Sequence, residues 1–265
     1  MENKPIRVGL LGFGKTGKAV ASVLLQSSEF HLEWGLRQGT LLEHHSISEF
    51  LGIESAVPGC IYSSQHISAS ELIAEHPVDV IIDFSSTSGI HYYADVAKEH
   101  GIKIVTAISH YEEKEIALIN ELSKHTAILW SPNITIGVNY MILAAQVMRK
   151  IAPGIDIEIV EEHFKLKPEL SGTAIKIAQS LGKERSDIKS IRAGGIVGKH
   201  EVIFGFPFQV VRLIHESISR EAFGNGAIFA CKHLMEKPPG RYTMDELMVP
   251  YFNVEFTGLH EKGSA

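Results

Sequence analysis

Residues 12–17 read Gly-Phe-Gly-Lys-Thr-Gly, between an apolar run from Ile6 to Leu11 and a helical pattern from Gly17 to Gln26. Few architectures accept three glycines in that spacing where a strand turns into a helix. Gly12 permits the tight turn, Gly14 lets backbone approach a pyrophosphate, and Gly17 lets the helix pack closely on the strand. The free N–H groups of the helix's first turn then favour phosphate oxygens. A glycine-rich structural turn is the competing reading. The position after a strand and before a helix favours a nucleotide-cofactor loop, which Phe13, Lys15 and Thr16 complete.

The first half of the chain keeps alternating. Phe30 to Leu36 predicts a second strand, Val78 to Phe84 a strongly apolar one, and His91 to His100 a helix. Ile102 to Ala107 predicts a strand, Glu112 to Lys124 a helix and Ala127 to Trp130 a strand. Such alternation implies βαβ units on a parallel sheet, an α/β arrangement. A change of style marks a second domain beginning near Asn133. Asn139 to Lys150 predicts a long helix, Ile155 to Val160 a strand and Ala174 to Leu181 a helix. Ile188 to Arg192, Lys199 to Phe206 and Gln209 to His215 read as antiparallel strands. Ala222 to Met235 is helical again, and Pro238-Pro239-Gly240 stops it. Residues 250–265, polar and glycine-containing, are expected to form a loosely held tail.

Composition narrows the class. With 265 residues the chain can bury a full core and is long enough for two domains. Its net charge of −6, with scattered basic residues, leaves no footprint for nucleic acid. The 14 histidines form no HExxH or other compact ligand spacing, so no metal is expected. Cys60 and Cys231 lie far apart and fit two buried thiols in a reducing compartment. No early apolar run is long enough for a signal peptide or a membrane span, which makes the cytoplasm the expected location.

Most of the chemistry concentrates in residues 161–174, Glu-Glu-His-Phe-Lys-Leu-Lys-Pro-Glu-Leu-Ser-Gly-Thr-Ala. The apolar run Ile155 to Val160 is expected to deliver these acids, His163 and Lys167 to a loop. Ser171-Gly172-Thr173 then opens a helix. The segment combines a proton-transfer group, a fixed cation and a helix N-terminus, which suits a small anionic substrate. Elsewhere, the tip of the second strand reads Leu36-Arg37-Gln38 and carries no acid for a ribose 2′-hydroxyl. Arg37 therefore argues for NADP(H), against a solvated loop arginine. Asp83, ahead of Phe84-Ser85-Ser86, reads as a loop-ordering carboxylate, and Trp34 and Trp130 as packing residues.

Five separated motifs carry a family resemblance. They are Gly12 to Gly17; Asp79 to Phe84; Ser131-Pro-Asn133-Ile-Thr-Ile-Gly137-Val-Asn139; Glu158 to Lys167 with Ser171 to Ala174; and Arg192 to Glu201 followed by Ser219 to Ala227. In this order they resemble the 4-hydroxy-tetrahydrodipicolinate (dihydrodipicolinate) reductase family. The resemblance implies a Rossmann-type dinucleotide-binding domain, residues 1–133 and 218–265. It pairs this with an α+β domain with a mixed sheet, residues 134–217, that binds substrate and builds a homotetramer. It also implies hydride transfer from NADPH or NADH to a cyclic unsaturated amine dicarboxylate on the path to lysine and diaminopimelate. Carried over by position, His163 is the proton donor or acceptor, and Lys167 is a second donor near a substrate carboxylate. Gly172 and Thr173, with Ser171, hold the other carboxylate. Phe84, Ala107 to Ser109, and Ser131, Asn133 and Ile134 line the cofactor.

Four departures lie beside that implied site. Phe164 replaces a second histidine of the substrate pocket, and Ala107-Ile108-Ser109-His110 replaces a GTTG turn. Lys167-Pro-Glu-Leu-Ser171 is one residue short, and a long loop is missing between Leu181 and Arg192. Two readings follow: the lysine-pathway reaction, or a recruited relative reducing another cyclic imine carboxylate. Retention of both His163 and Lys167 counts against a non-catalytic sensor of the dinucleotide. His110 either touches substrate or cofactor or is a surface residue.

Overall fold

A computed structural model describes residues 4–252. The chain runs through β1 (Ile6–Leu11), α1 (Lys15–Leu25), β2 (Phe30–Arg37), α2 (Ile47–Leu51), β3 (Cys60–Ser63) and α3 (Ala69–Glu75). β4 (Val80–Asp83), α4 (Ile90–His100), β5 (Lys103–Thr106), α5 (Glu113–Leu122) and β6 (Ala127–Trp130) follow. These six strands, with a seventh described below, make one parallel sheet in the order β3-β2-β1-β4-β5-β6. The order reverses between β1 and β4, and there the carboxyl ends of the strands open a crevice. Apolar side chains fill both faces of the sheet. Val20 and Leu24 of α1 pack on Val8 and Leu10, while Tyr93 and Ala97 of α4 pack with Ile81 and Ile104 on the opposite face.

α2, β3 and α3 occupy a stretch in which the sequence shows no long period. α2 has five residues and exists because its ends are fixed. The Ser46 side chain accepts from Glu49 N–H, and Gly52 ends the helix in the left-handed region. β3 has four residues and is defined by its pairing with β2. Periodicity cannot resolve elements this short.

The second half contains α6 (Ile136–Ile151), β7 (Asp156–His163), α7 (Gly172–Ser180), β8 (Ile188–Arg192), β9 (Lys199–Gly205) and β10 (Val210–Glu216). Its four strands form a mixed sheet, β10-β9-β7-β8. Two expectations are corrected here. β7 runs on to His163, so the histidine sits at a strand end and not in a loop. β8 pairs with β7 in parallel, because the chain crosses back through α7 before re-entering the sheet. Along β7 the side chains of Ile157, Ile159, Glu161 and His163 all face inward and are buried, as strand alternation requires. α6 and α7 cover that face, with Val138, Ile142, Ala174 and Ile177 against Ile159, Val202 and Phe204.

α8 (Glu221–Met235) returns the chain to the first sheet, followed by β11 (Gly240–Tyr242) and α9 (Met244–Met248). Pro238 and Pro239 do end the helix, but Gly240 starts a strand parallel to β6, the seventh of the large sheet. A Cβ on Gly226 would lie 1.9 Å from the Ile134 carbonyl oxygen, so α8 rests directly on the crossing between the two sheets. Cys231 is buried, whereas Cys60 is only half-buried. No helix among the described residues is long and apolar enough to cross a membrane. Of the expected tail, residues 253–265 lie outside the described residues; Val249–Phe252 form a 3-10 turn.

Candidate active site

The glycine loop has the geometry its spacing implies. Gly12 has φ +93°, and a Cβ there would meet Phe84 backbone at 2.6 Å. A Cβ on Gly17 would stand 1.8 Å from the Gly12 carbonyl oxygen. On Gly14 it would meet nothing within 4 Å. Two glycines are thus demanded by the fold, and the middle one faces open space. That space is a cleft of about 460 Å³ bounded by Gly12 to Gly14, Arg37, and the turn from Ser85 to Gly89. Glycines and serines line it together with Leu11, Leu36 and Tyr92, and Arg37 adds a guanidinium. Arg37 forms no ion pair among the described residues. A dinucleotide with a phosphorylated or free ribose fits these donors.

Other expected cofactor residues are distributed differently. The Phe13 ring turns inward onto Phe50, so that residue offers backbone to the cleft. Lys15 borders a separate groove with Lys18 and Arg220. Thr16, in the first turn of α1, is half-buried and lines neither space. Phe84 packs edge-on against Phe223. Ala107, Ile108 and Ser109 follow β5, and Trp130 Nε1 donates to the Ile108 carbonyl at 2.9 Å. His110 is exposed. Ile134 is fully buried in the core. Gln38, part of the Leu36-Arg37-Gln38 tip, lines the cleft as well, as do Gly39, Ser64 and Tyr92, which carried no motif in the sequence.

At the end of β7, His163 Nδ1 is hydrogen-bonded to Glu161 Oε2. Glu161 is fully buried, and its other oxygen accepts from Ser190 and, at 2.7 Å, from Arg192. Burial pushes the Glu161 carboxyl up, but the bonds from Arg192, Ser190 and His163 outweigh it and hold the group below its ordinary range. Burial lowers the His163 imidazole, with Lys167 and Arg192 adding to the effect and Glu161 opposing it. The result is a histidine fixed in orientation and easily made to give up a proton. Its Nε2 edge lies beside Gly198, where a Cβ would come within 3.0 Å.

Cross-strand register supplies a second layer beneath this dyad. Ser190, Glu161, His200 and His215 are successive partners across β8, β7, β9 and β10. His200 Nε2 meets Ser171 Oγ at 2.9 Å, and its ring stands edge-on to His163 at 5.4 Å. Burial, with His163 and His215 nearby, pushes the His200 imidazole down to about 3, so it is neutral. Ser171 also caps α7, accepting from Ala174 N–H. Thr173 Oγ1 accepts from Asn133 Nδ2 at 3.0 Å, while Asn133 Oδ1 accepts from Thr135. Asn133 therefore ties the segment after β6 to the start of α7. The expected residues His163, Ser171, Thr173 and Asn133 come together; Gly172 is exposed at the same helix start. Lys167 lies on the connecting loop, and its ammonium pairs with no described carboxylate.

A family model described as "Dihydrodipicolinate reductase, N-terminus" matches residues 6–134, and "Dihydrodipicolinate reductase, C-terminus" matches residues 137–248. A protein from Caldanaerobacter subterraneus subsp. tengcongensis named 4-hydroxy-tetrahydrodipicolinate reductase is 31% identical over 258 residues, covering 89% of this chain and 94% of its own. The chain belongs to the dihydrodipicolinate reductase family. A relative of the same name from Buchnera aphidicola subsp. Schizaphis graminum is 27% identical, covering 95% of this chain and all of its own. A solved structure titled dipicolinate-bound dihydrodipicolinate reductase, from Paenisporosarcina sp. TG-14, aligns with a TM-score of 0.72 at 21% identity, covering 90% of this chain and 97% of its own. That likeness supports the fold.

Set in a dihydrodipicolinate reductase, the departures have a local structure. Phe164 is 43% exposed and Leu166 84% exposed, on the loop that carries Lys167. The shortened connection is held by Arg192, which donates to the carbonyls of Lys167 at 3.2 Å and Glu169 at 3.0 Å as well as to Glu161. One guanidinium thus orients the dyad and the lysine loop together. Glu161→Gln is expected to lower kcat at least about tenfold, a barrier increase of about 1.4 kcal/mol. It removes the charge on which His163, Ser190 and Arg192 converge. Steady-state kinetics at saturating cofactor would detect it, and a kcat within twofold of wild type would contradict the role given to the clamp. Sequence spacing could have found Glu161, two residues from His163 on one strand face; His200 emerges only from the strand register.

Proposed function

We propose that this reductase converts 4-hydroxy-tetrahydrodipicolinate to tetrahydrodipicolinate, with NADPH as the preferred cofactor and NADH as the alternative. The observation that carries the reading is the union of the clamped His163–Glu161 pair with the capped, cation-flanked start of α7. A bound reduced nicotinamide supplies the hydride. The substrate is a ring with two carboxylates and, after loss of its hydroxyl as water, a conjugated C=C–C=N system that must gain a proton as the hydride arrives. His163 supplies or relays that proton. Lys167 holds one carboxylate and acts as a second proton donor. The N–H groups at Gly172 and Thr173, with the Thr173 hydroxyl, hold the other, and Ser171 keeps that helix start in place. Phe164 takes an apolar position at the rim of the pocket.

Division of labour follows the two sheets. Residues 1–133 and 218–265 bind the dinucleotide through Gly12 to Gly17, Arg37, Phe84, Ala107 to Ser109, Ser131 and Asn133. Residues 134–217 bind substrate and assemble a homotetramer. In support, one face of the mixed sheet is covered by helices, while the other exposes Ile191, Val210 and Ile214. Arg37 supports NADPH, since an unpaired guanidinium at the end of β2 offers a bidentate partner for a 2′-phosphate. The two thiols, one buried and one half-buried, support work in the cytoplasm.

The substrate class is tested by comparing freshly generated 4-hydroxy-tetrahydrodipicolinate with a cyclic imine monocarboxylate, each with NADPH and NADH. The dicarboxylate is expected to give the higher kcat/KM by at least about tenfold, because one of two anion-holding groups goes unused with the monocarboxylate. Preference for the monocarboxylate would favour a recruited relative; binding of cofactor without turnover of either would favour a sensor.

A further inference from the structure

Asp83 is the last residue of β4 and is fully buried at the switch point of the large sheet. Its carboxylate is committed to the turn that forms one wall of the cleft. Oδ1 accepts from Ser85 N–H at 2.8 Å and from Ser85 Oγ–H at 2.6 Å, and Oδ2 accepts from Tyr93 Oη–H at 3.0 Å. The turn is wrapped tightly around it: a Cβ on Gly89 would lie 2.1 Å from Ser85 Oγ and 3.1 Å from Asp83 Oδ2. The same residue also holds the loop after β5, since its backbone carbonyl accepts from Ala107 N–H at 3.0 Å. Tyr111, whose hydroxyl meets Thr106 Oγ1 at 2.7 Å, extends the buried polar chain from Tyr93 toward that loop.

We propose that Asp83 is a positioning residue for the dinucleotide: as a carboxylate it braces the Ser85 to Gly89 turn against the cleft, and its protonation releases that turn and weakens cofactor binding. The inference rests on reading the cleft as the cofactor site. Its physical basis is the count of acceptors. Protonation turns one of the two carboxyl oxygens into a donor, so the bond from Tyr93 or the pair from Ser85 must be reversed or lost, and the Ser85 N–H, which can only donate, keeps a partner only if the oxygen it meets stays unprotonated.

Burial raises the Asp83 carboxyl to about 6, with the donors from Ser85 and Tyr93 pulling the other way. The groups facing it are Leu11 from β1, Thr106 from β5, Tyr93 from α4 and Tyr111 ahead of α5. Both phenols are held above their ordinary range, so Asp83 is the one among these that titrates near neutrality. The sign is opposite to that of an ordinary ion pair. Because the folded-state value is raised, the Asp83 contribution to fold stability is fully present below the unfolded value and is lost as pH rises through about 6. The fold tolerates protonation of Asp83, and the cofactor turn does not.

The test is calorimetric binding of NADH, which carries no 2′-phosphate to titrate in the same range, with NADPH in parallel, from pH 8.0 to pH 5.5. At pH 5.5 about a quarter of the carboxylate remains ionised, so the Kd for NADH is expected to rise about fourfold above its value at neutral pH. Asp83→Asn is expected to bind more weakly at pH 7.5 and to lose the pH dependence. Tyr93→Phe removes one donor from the carboxylate and is expected to move the midpoint to higher pH, which keeps the idea testable if the asparagine variant does not fold. A wild-type Kd flat across the range, or an Asp83→Asn curve that tracks wild type, would overturn the inference. Failure of both cofactors to bind at pH 7.5 would instead overturn the cofactor reading of the cleft, and the inference with it.

Discussion

His163→Gln is expected to lower kcat by about 10²- to 10⁴-fold while leaving NADPH affinity within about twofold of wild type. Glutamine can accept or donate a hydrogen bond at roughly the same place but cannot exchange a proton near neutrality. The loss therefore falls on the chemical step and not on assembly of the complex. Lys167→Ala should behave differently. Its ammonium pairs with no described carboxylate, so removal leaves no buried partner stranded and costs the fold little. The expected effect is a rise in KM for the dicarboxylate together with a fall in kcat, about 10²-fold or more in kcat/KM. Steady-state kinetics beside a cofactor-binding titration separates the two. Near wild-type turnover in either variant would refute that residue's role.

The second large effect concerns the glycine loop, where two neighbouring substitutions should fail for opposite reasons. Gly17→Val places a Cβ 1.8 Å from the Gly12 carbonyl, a backbone atom that cannot give way without moving the turn itself. Destabilisation of at least about 3 kcal/mol is expected, seen as a fall in Tm of roughly 6 °C or more. Gly14→Ala adds a methyl where nothing lies within 4 Å, so Tm should hold. The methyl occupies the space through which a pyrophosphate must approach, and NADPH affinity should drop at least about tenfold, or about 1.4 kcal/mol. If Gly14→Ala binds the cofactor as tightly as wild type, the dinucleotide does not pass over that residue.

The contrast between these glycines is legible in the sequence itself. A turn, an open approach and a close packing were each implied by the spacing of Gly12, Gly14 and Gly17, because a strand-to-helix turn leaves each position one geometric duty. Helices such as Ile136–Ile151 were legible because their period repeats often enough to be seen, and Val80–Asp83 because it lies within a strongly apolar run, Val78 to Phe84. What escaped depended on pairing. α2, β3 and α9 are too short to show a period, and β8 runs parallel to β7 only because of the crossover through α7.

The candidate site divides along the same line. His163, Lys167, Ser171 and Thr173 sit within one short segment, so their chemistry could be weighed together. Ser190, Arg192 and His200 come from other strands, and their approach to Glu161 and Ser171 is set by register across the sheet. Asn133 illustrates the limit from the other side. It stood out as part of a motif, but its amide is spent on Thr135 and Thr173, a bridging duty that the sequence does not display.

The most direct test of the account is the stoichiometry of a single reaction: purified protein, NADPH and freshly generated 4-hydroxy-tetrahydrodipicolinate, with cofactor oxidation and product both quantified. One tetrahydrodipicolinate formed for each NADPH consumed, with both rates at least about a hundredfold lower in His163→Gln, is the predicted result. Cofactor that binds but is not oxidised, or is oxidised without tetrahydrodipicolinate appearing, would contradict it.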